Sequence, residues 1–245
     1  MIIYVPTIQS TGTWFLMDLI QIHSKIKYMN SWQAMDRTKF PPDWSDDRAL
    51  INIHIGISNE YWDNPVYHTN EKIKEDFMLE AAHTVIPLRD PLKALLTCHT
   101  RNWDMINITH IVNGFVQVKQ WCDRHPDIHL FPVDIGMRAS VLPRHSHPGQ
   151  MTRYGMIRDL FTYLDLPLEP YMSIIAENWS KVNTIGERTS RLCDNYYYSR
   201  NIEKIIAELD NPFEGGGFKY LQSKQKILRP WLESVGYRSL LWWDN

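Results

Sequence analysis

Two residues eight positions apart, Arg89 and Thr97, carry the most specific chemical signal in the chain. They belong to the run His83-Thr84-Val85-Ile86-Pro87-Leu88-Arg89-Asp90-Pro91-Leu92-Lys93-Ala94-Leu95-Leu96-Thr97. A strand-like apolar stretch ends there on arginine, and Asp90 and Pro91 suit the cap and first position of a helix. The spacing sets a guanidinium at the strand end and a hydroxyl about two turns into the helix. Together they can bind a phosphate monoester by charge-assisted hydrogen bonds. The alternative use is structural, with Arg89 paired to a helix carboxylate and Thr97 at the surface.

Pro6-Thr7-Ile8-Gln9-Ser10-Thr11-Gly12-Thr13-Trp14-Phe15 is a second candidate. A strand, a short loop of hydroxyl residues with one glycine, and a helix make an anion cradle. Backbone N–H groups at the helix start point at the ligand, and the helix dipole favours negative charge. Ser10, Thr11 and Thr13 add hydroxyl donors, and Gly12 permits close backbone approach. An ordinary capped helix start has the same composition. No Gly-Lys dipeptide occurs in the chain, so the triphosphate loop G-x-x-x-x-G-K-[ST] is absent. That argues against a nucleotide kinase or hydrolase of the P-loop type.

Ile51-Asn52-Ile53-His54-Ile55 ends a third apolar run on histidine. An imidazole with a pKa of about 6.5 suits a general base that takes a hydroxyl proton. Glu60 and Glu71 compete for that role. His145 and His147 flank Ser146, but a metal site there lacks further ligands, and none is expected. Trp32, Trp44, Trp62 and Trp103 fall in or near loops, where they could line an acceptor pocket.

These residues need a scaffold that brings strand ends together. The apolar pattern predicts strands over Ile2–Val5, closed by Pro6, and over Leu50–Ile55, His83–Leu88 and Ile128–Val133. Helices are expected over Gly12–His23, Glu71–Ala82, from Pro91, and over about 104–124, 150–165, 169–178, 200–209 and 219–235. Strands alternating with helices imply an α/β fold, with a central parallel sheet of four to five strands and helices on both faces. Ligands bind such sheets beyond the carboxyl ends of the strands. The loops of interest are therefore 6–13, 54–58, 88–91 and 133–137.

The chain's 245 residues suit a single domain, 1–245, with a core that needs no disulfide or metal. A formal net charge of −2 implies no polyanion surface, so no nucleic-acid partner is expected. Three scattered cysteines, Cys98, Cys122 and Cys193, fit a reducing compartment rather than a disulfide framework. No apolar run reaches the roughly 18 residues of a membrane span. Without a signal-peptide pattern, the expectation is a cytoplasmic protein.

The first and third loops together resemble those of the PAPS-dependent sulfotransferases, PAPS being 3′-phosphoadenosine-5′-phosphosulfate. Arg89, Asp90, Pro91 and Thr97 match the family's R-[DN]-P signature and its hydroxyl residue eight positions later. Pro6 and Ser10 to Trp14 resemble its P-K-S-G-T-T-W-like loop. Leu130 to Ile135, with Asp134, is similar to a strand ending in YEDL. Asp159 to Pro167 is similar to a helix ending in FLGLP. Trp179 to Asn183 resembles a segment near the adenine, and Leu228 to Tyr237 the terminal helix that closes on Gly-Tyr.

The resemblance implies a P-loop-like strand–loop–helix motif and sulfuryl transfer from PAPS to a hydroxyl or amine of a sugar, lipid or small molecule. The product would be adenosine 3′,5′-bisphosphate. It further implies that Gln9, Ser10, Thr11, Gly12, Thr13 and Trp14 hold the 5′-phosphosulfate. Arg89 and Thr97 would hold the 3′-phosphate, and His54 would be the base. Phe213 to Lys219 resembles a glycine-rich loop around the 3′-phosphate and adenine, with Lys219 its cation and Arg188 and Arg191 as alternatives. One family residue is missing. The loop lysine that contacts the bridging oxygen is replaced by Gln9 or Ser10, with Lys25 and Lys27 as substitutes. A non-catalytic nucleotide-binding protein of the same fold is the alternative. The sequence identifies neither the acceptor nor the oligomeric state.

Overall fold

A computed structural model describes residues 1–8, 11–21, 26–29, 48–55, 71–100, 108–133, 153–168 and 217–237. The strands are β1 (Ile2–Thr7), β2 (Ile26–Met29), β3 (Arg48–His54), β4 (His83–Leu88) and β5 (His129–Pro132). The helices are α1 (Thr13–Gln21), α2 (Glu71–Glu80), α3 (Pro91–Thr100), α4 (Ile108–Arg124), α5 (Arg153–Tyr163), α6 (Gly217–Ser223) and α7 (Gln225–Val235). The strands pair in parallel in the order β2-β3-β1-β4-β5.

Alternation along the strands builds two cores. Tyr4, Ile86 and Leu88 face one way and pack with Met78 of α2, Leu92 and Leu95 of α3, Phe115 and Trp121 of α4, Phe218 of α6, and Leu228 and Leu232 of α7. Ile3, Val5, Val85 and Phe131 face the other way, against Phe15, Leu16, Leu19 and Ile20 of α1 and Ile157, Leu160 and Phe161 of α5. Helices thus cover both faces, as buried parallel strands require. The α/β expectation holds at this level.

β1 differs from the sequence expectation. It continues through Pro6 to Thr7, with Pro6 level with Ile53 of β3. The ladder direction explains the tolerance. Thr7 turns its carbonyl toward β3 and accepts the Ile55 N–H at 2.9 Å. Successive residues alternate sides, so Pro6 lacks its N–H on the β4 side. Pairing with β4 is confined to Ile3↔His83 and Tyr4↔Thr84. The short strand β2, which carries Lys27, has no bounds in the sequence reading. Its four residues give too short a pattern to register.

The helix ends follow local rules. Asp90 Oδ1 accepts the Leu92 N–H at 3.0 Å, and Asp90 O accepts the Ala94 N–H at 3.0 Å, which makes Asp90 the N-cap as its sequence implied. α7 ends in a Schellman turn: Gly236 has φ 111°, and Tyr237 N–H reaches Leu232 O at 2.9 Å. α5 ends the same way on Asp165 at φ 51°, with Leu166 N–H on Phe161 O at 2.8 Å. The single helix expected over 219–235 is instead α6 and α7, divided at Lys224. The helices expected over 169–178 and 200–209 lie outside the described residues.

Candidate functional site at the carboxyl edge of the sheet

After β1 the chain moves to β2 and β3 on one side of it; it later crosses to β4 and β5 on the other. The reversal makes the carboxyl ends of β1 and β4 the topological switch point, where open α/β sheets place ligands. The stop in the β1–β4 ladder after Tyr4 lies just below this point. Two of the candidate segments flank it: the turn after β1 and the strand-to-helix junction after β4.

The buried polar residues gather here. Among the described residues, six of the eight buried polar or charged residues, Thr7, Thr11, Arg89, Asp90, Lys93 and Thr97, lie at or after the ends of β1 and β4; the other two are Thr84 in β4 and His110 in α4. Buried polar groups are stable only when hydrogen-bonded or paired, so a cluster of them is held by specific contacts.

Arg89 is 7% exposed, and its Nη1 donates to Thr97 Oγ1 at 3.0 Å. Thr97 in turn donates its hydroxyl proton to Lys93 O at 2.8 Å. The i−4 bond fixes the threonine rotamer, and the threonine fixes the guanidinium. Thr97 therefore acts as an acceptor that aims Arg89, and its own proton is committed to the helix. Arg89 Nη2 is buried at the same edge. The structure thus brings Arg89 and Thr97 together as their spacing implied.

In the turn after β1, Thr11 Oγ1 donates to Ile8 O at 2.7 Å, so this hydroxyl closes the turn. Gly12 adopts φ 91°, and a Cβ there would lie 2.7 Å from Val133 Cγ1. Both the backbone and the neighbour require glycine. Gly12 O accepts the Leu16 N–H at 3.1 Å and opens α1, with Thr13 its first residue. A strand, a tight turn and a helix N-terminus follow one another here. Trp14 lies in the first turn of α1. Gln9 and Ser10 lie outside the described residues.

His54 is the last residue of β3 and stands level with Thr7, the last residue of β1. Its backbone is thus at the same edge as the buried cluster. Glu71 begins α2. Lys219 is exposed in the first turn of α6, next to buried Phe218. Glu60, Lys25, Asp134, Arg188, Arg191, His145, His147, Trp32, Trp44, Trp62, Trp103 and the segment 179–183 lie outside the described residues. Among the described residues no group of three metal-ligating side chains forms, and no helix is long and apolar enough to cross a membrane.

Sequence reading passed over Lys93. It is 3% exposed, in the first turn of α3. The signal was present: Lys93 is the one Lys or Arg in the helix Pro91–Thr100, and it shares a helical face with Asp90 and Thr97. Compared with protein-family models, curated proteins and solved structures, the chain matches none of them.

Proposed function

We propose that the chain is a sulfotransferase that uses PAPS as donor, with the carboxyl edge of the sheet as its active site. The observation that carries this reading is the buried Arg89–Thr97 contact beside the β1–β4 switch point, set in the R-D-P…T pattern. The groups at this edge fit an anionic donor: a buried guanidinium, a buried ammonium, hydroxyl residues, and the N-termini of α1 and α3. The finer fold assignment, a P-loop-like strand–loop–helix motif at the start of the sheet, belongs to the same proposal.

The residues divide the work. Arg89 binds the 3′-phosphate, held in aim by Thr97. The turn at Gly12 and the N–H groups opening α1 orient the 5′-phosphosulfate, with Gln9, Ser10, Thr11, Thr13 and Trp14 around it. His54 takes the proton of the acceptor hydroxyl as its oxygen bonds to sulfur. The bond from sulfur to the bridging oxygen breaks, and negative charge settles on the 5′-phosphate. A fixed donor at that oxygen stabilises the transition state more than the ground state. Lys219 adds a cation at the nucleotide.

A second reading has one specific support. Gln9 and Ser10 supply no charge where the family has lysine. A nucleotide-binding protein without catalysis fits that loop as well. Transfer from labelled PAPS to sugar, lipid and phenol acceptors separates the two. Sulfated product is expected. Tight binding of adenosine 3′,5′-bisphosphate without transfer to any acceptor would favour the non-catalytic reading. Tighter binding of ATP with magnesium would overturn both.

A further inference from the structure

Lys93 supplies the buried ammonium at this edge, and its position is unusual on two counts. A lysine ammonium buried to 3% exposure is disfavoured by loss of hydration. A cation in the first turn of a helix also opposes the helix dipole. α3 holds Lys93 there nonetheless, one turn ahead of Thr97, with its carbonyl bound to the Thr97 hydroxyl. The contacts from Arg89 Nη1 through Thr97 Oγ1 to the Lys93 backbone carbonyl set both residues at the same end of α3. Asp90 is the one buried carboxylate among the described residues, and its Oδ1 caps the Leu92 N–H. Among the described residues, two buried cations and one buried carboxylate thus share this edge.

We infer that Lys93 and Arg89 together form a subsite for a doubly charged phosphate monoester, and that Lys93 makes the subsite select a dianion over a monoanion. The inference rests on the reading of Arg89 as a phosphate ligand and extends it to specificity. A terminal phosphate carries about −1.5 to −2 at neutral pH, with a second pKa of about 6. A sulfate half-ester of the same shape carries one charge at any physiological pH. A single arginine serves either. A second buried cation raises affinity chiefly for the group that brings the second charge. At a donor carrying both a 3′-phosphate and a sulfuryl group, such a subsite would keep the sulfuryl end out of the phosphate position.

The test uses the full chain, with methyl phosphate and methyl sulfate as probes and ligand-induced thermal shift as readout. Wild type is expected to favour methyl phosphate about tenfold at pH 7.5, with the preference falling as pH drops through about 6. Lys93→Met keeps the apolar stem and removes the charge. It should bring the two affinities close together and flatten the pH dependence. Lys93→Arg should restore both. Unchanged preference in Lys93→Met overturns the inference. So does a lower melting temperature of the ligand-free variant with the preference intact, since that pattern marks a structural ion pair. Should Lys93→Met fail to fold, Lys93→Arg and Lys93→Gln decide. The first must retain the preference and the second must lose it. Adenosine 3′,5′-bisphosphate and AMP are measured in parallel. Equal wild-type affinity for these two refutes the nucleotide reading, while the methyl phosphate comparison still decides Lys93.

Discussion

Thr97 accepts a hydrogen bond from Arg89 Nη1 at 3.0 Å while donating to Lys93 O at 2.8 Å. The threonine thus links Arg89, at the carboxyl edge of the sheet, to the helix α3. Thr97→Val keeps the shape and removes both bonds. Affinity for adenosine 3′,5′-bisphosphate should fall by about 1–2 kcal/mol, and for AMP hardly at all. Thr97→Ser should behave as wild type. Arg89→Ala should weaken the bisphosphate by roughly 2–4 kcal/mol. Calorimetry with both nucleotides checks the pair; equal losses for AMP would place the 3′-phosphate elsewhere.

At the end of β3, His54 is level with Thr7 on the site edge. If it is the base, His54→Ala should lower kcat about 10²–10⁴-fold and leave nucleotide affinity nearly unchanged. Single-turnover rates with labelled PAPS measure this. Full turnover in the variant would move the role to Glu60 or Glu71.

Gly12→Ala meets two obstacles, the φ of 91° and the Val133 side chain at 2.7 Å. We expect a stability loss of about 1–3 kcal/mol by urea titration. The double change with Val133→Ala should recover the steric part and leave the backbone part. No recovery in the double variant would mean the conformation alone sets the requirement.

At the opposite, amino edge of the sheet, His129 stacks on Tyr163 at 4.9 Å and His83 meets its edge at 5.1 Å. Burial lowers the pKa of both histidines, against weaker opposing pulls from Asp165 on His83 and Asp159 on His129. In the folded state they release their protons more readily than in the unfolded chain. The unfolded chain therefore binds more protons, and stability falls as pH drops below about 6.5. Urea midpoints between pH 7.5 and 5.5, above the carboxylate range, should decrease. His129→Phe keeps a ring on Tyr163 and should reduce the decrease. A flat midpoint in wild type would contradict the assignment.

Local chemistry was the most legible part of the sequence. Asp90 and Pro91 announced the start of α3, because a cap depends only on its immediate neighbours. The spacing of Arg89 and Thr97 set both at one edge for the same reason, strand end and helix face being local, while their direct hydrogen bond was not foreseen. Pro6 misled, since its missing N–H ends a strand only on the side where a partner needs it. That side is fixed by β4, far along the chain. Lys93 was overlooked because burial is a property of the packed helix, and a lysine in sequence reads as surface. The break at Lys224 fell inside a continuous helical pattern. Gly12 was read as permissive, whereas the contact with Val133 that makes it obligatory joins positions 121 apart in sequence.

The position of β1 between β3 and β4 has a consequence for biosynthesis. Both neighbours of this apolar strand lie downstream, at Arg48–His54 and His83–Leu88. On a ribosome adding roughly 5–20 residues per second, the nascent strand spends several seconds with neither edge covered. An uncovered apolar edge invites pairing with other chains. Pro6 lacks the donor on the edge that stays open longest, the one awaiting β4. The residue that ends the ladder in the finished protein therefore also guards the growing chain against aggregation.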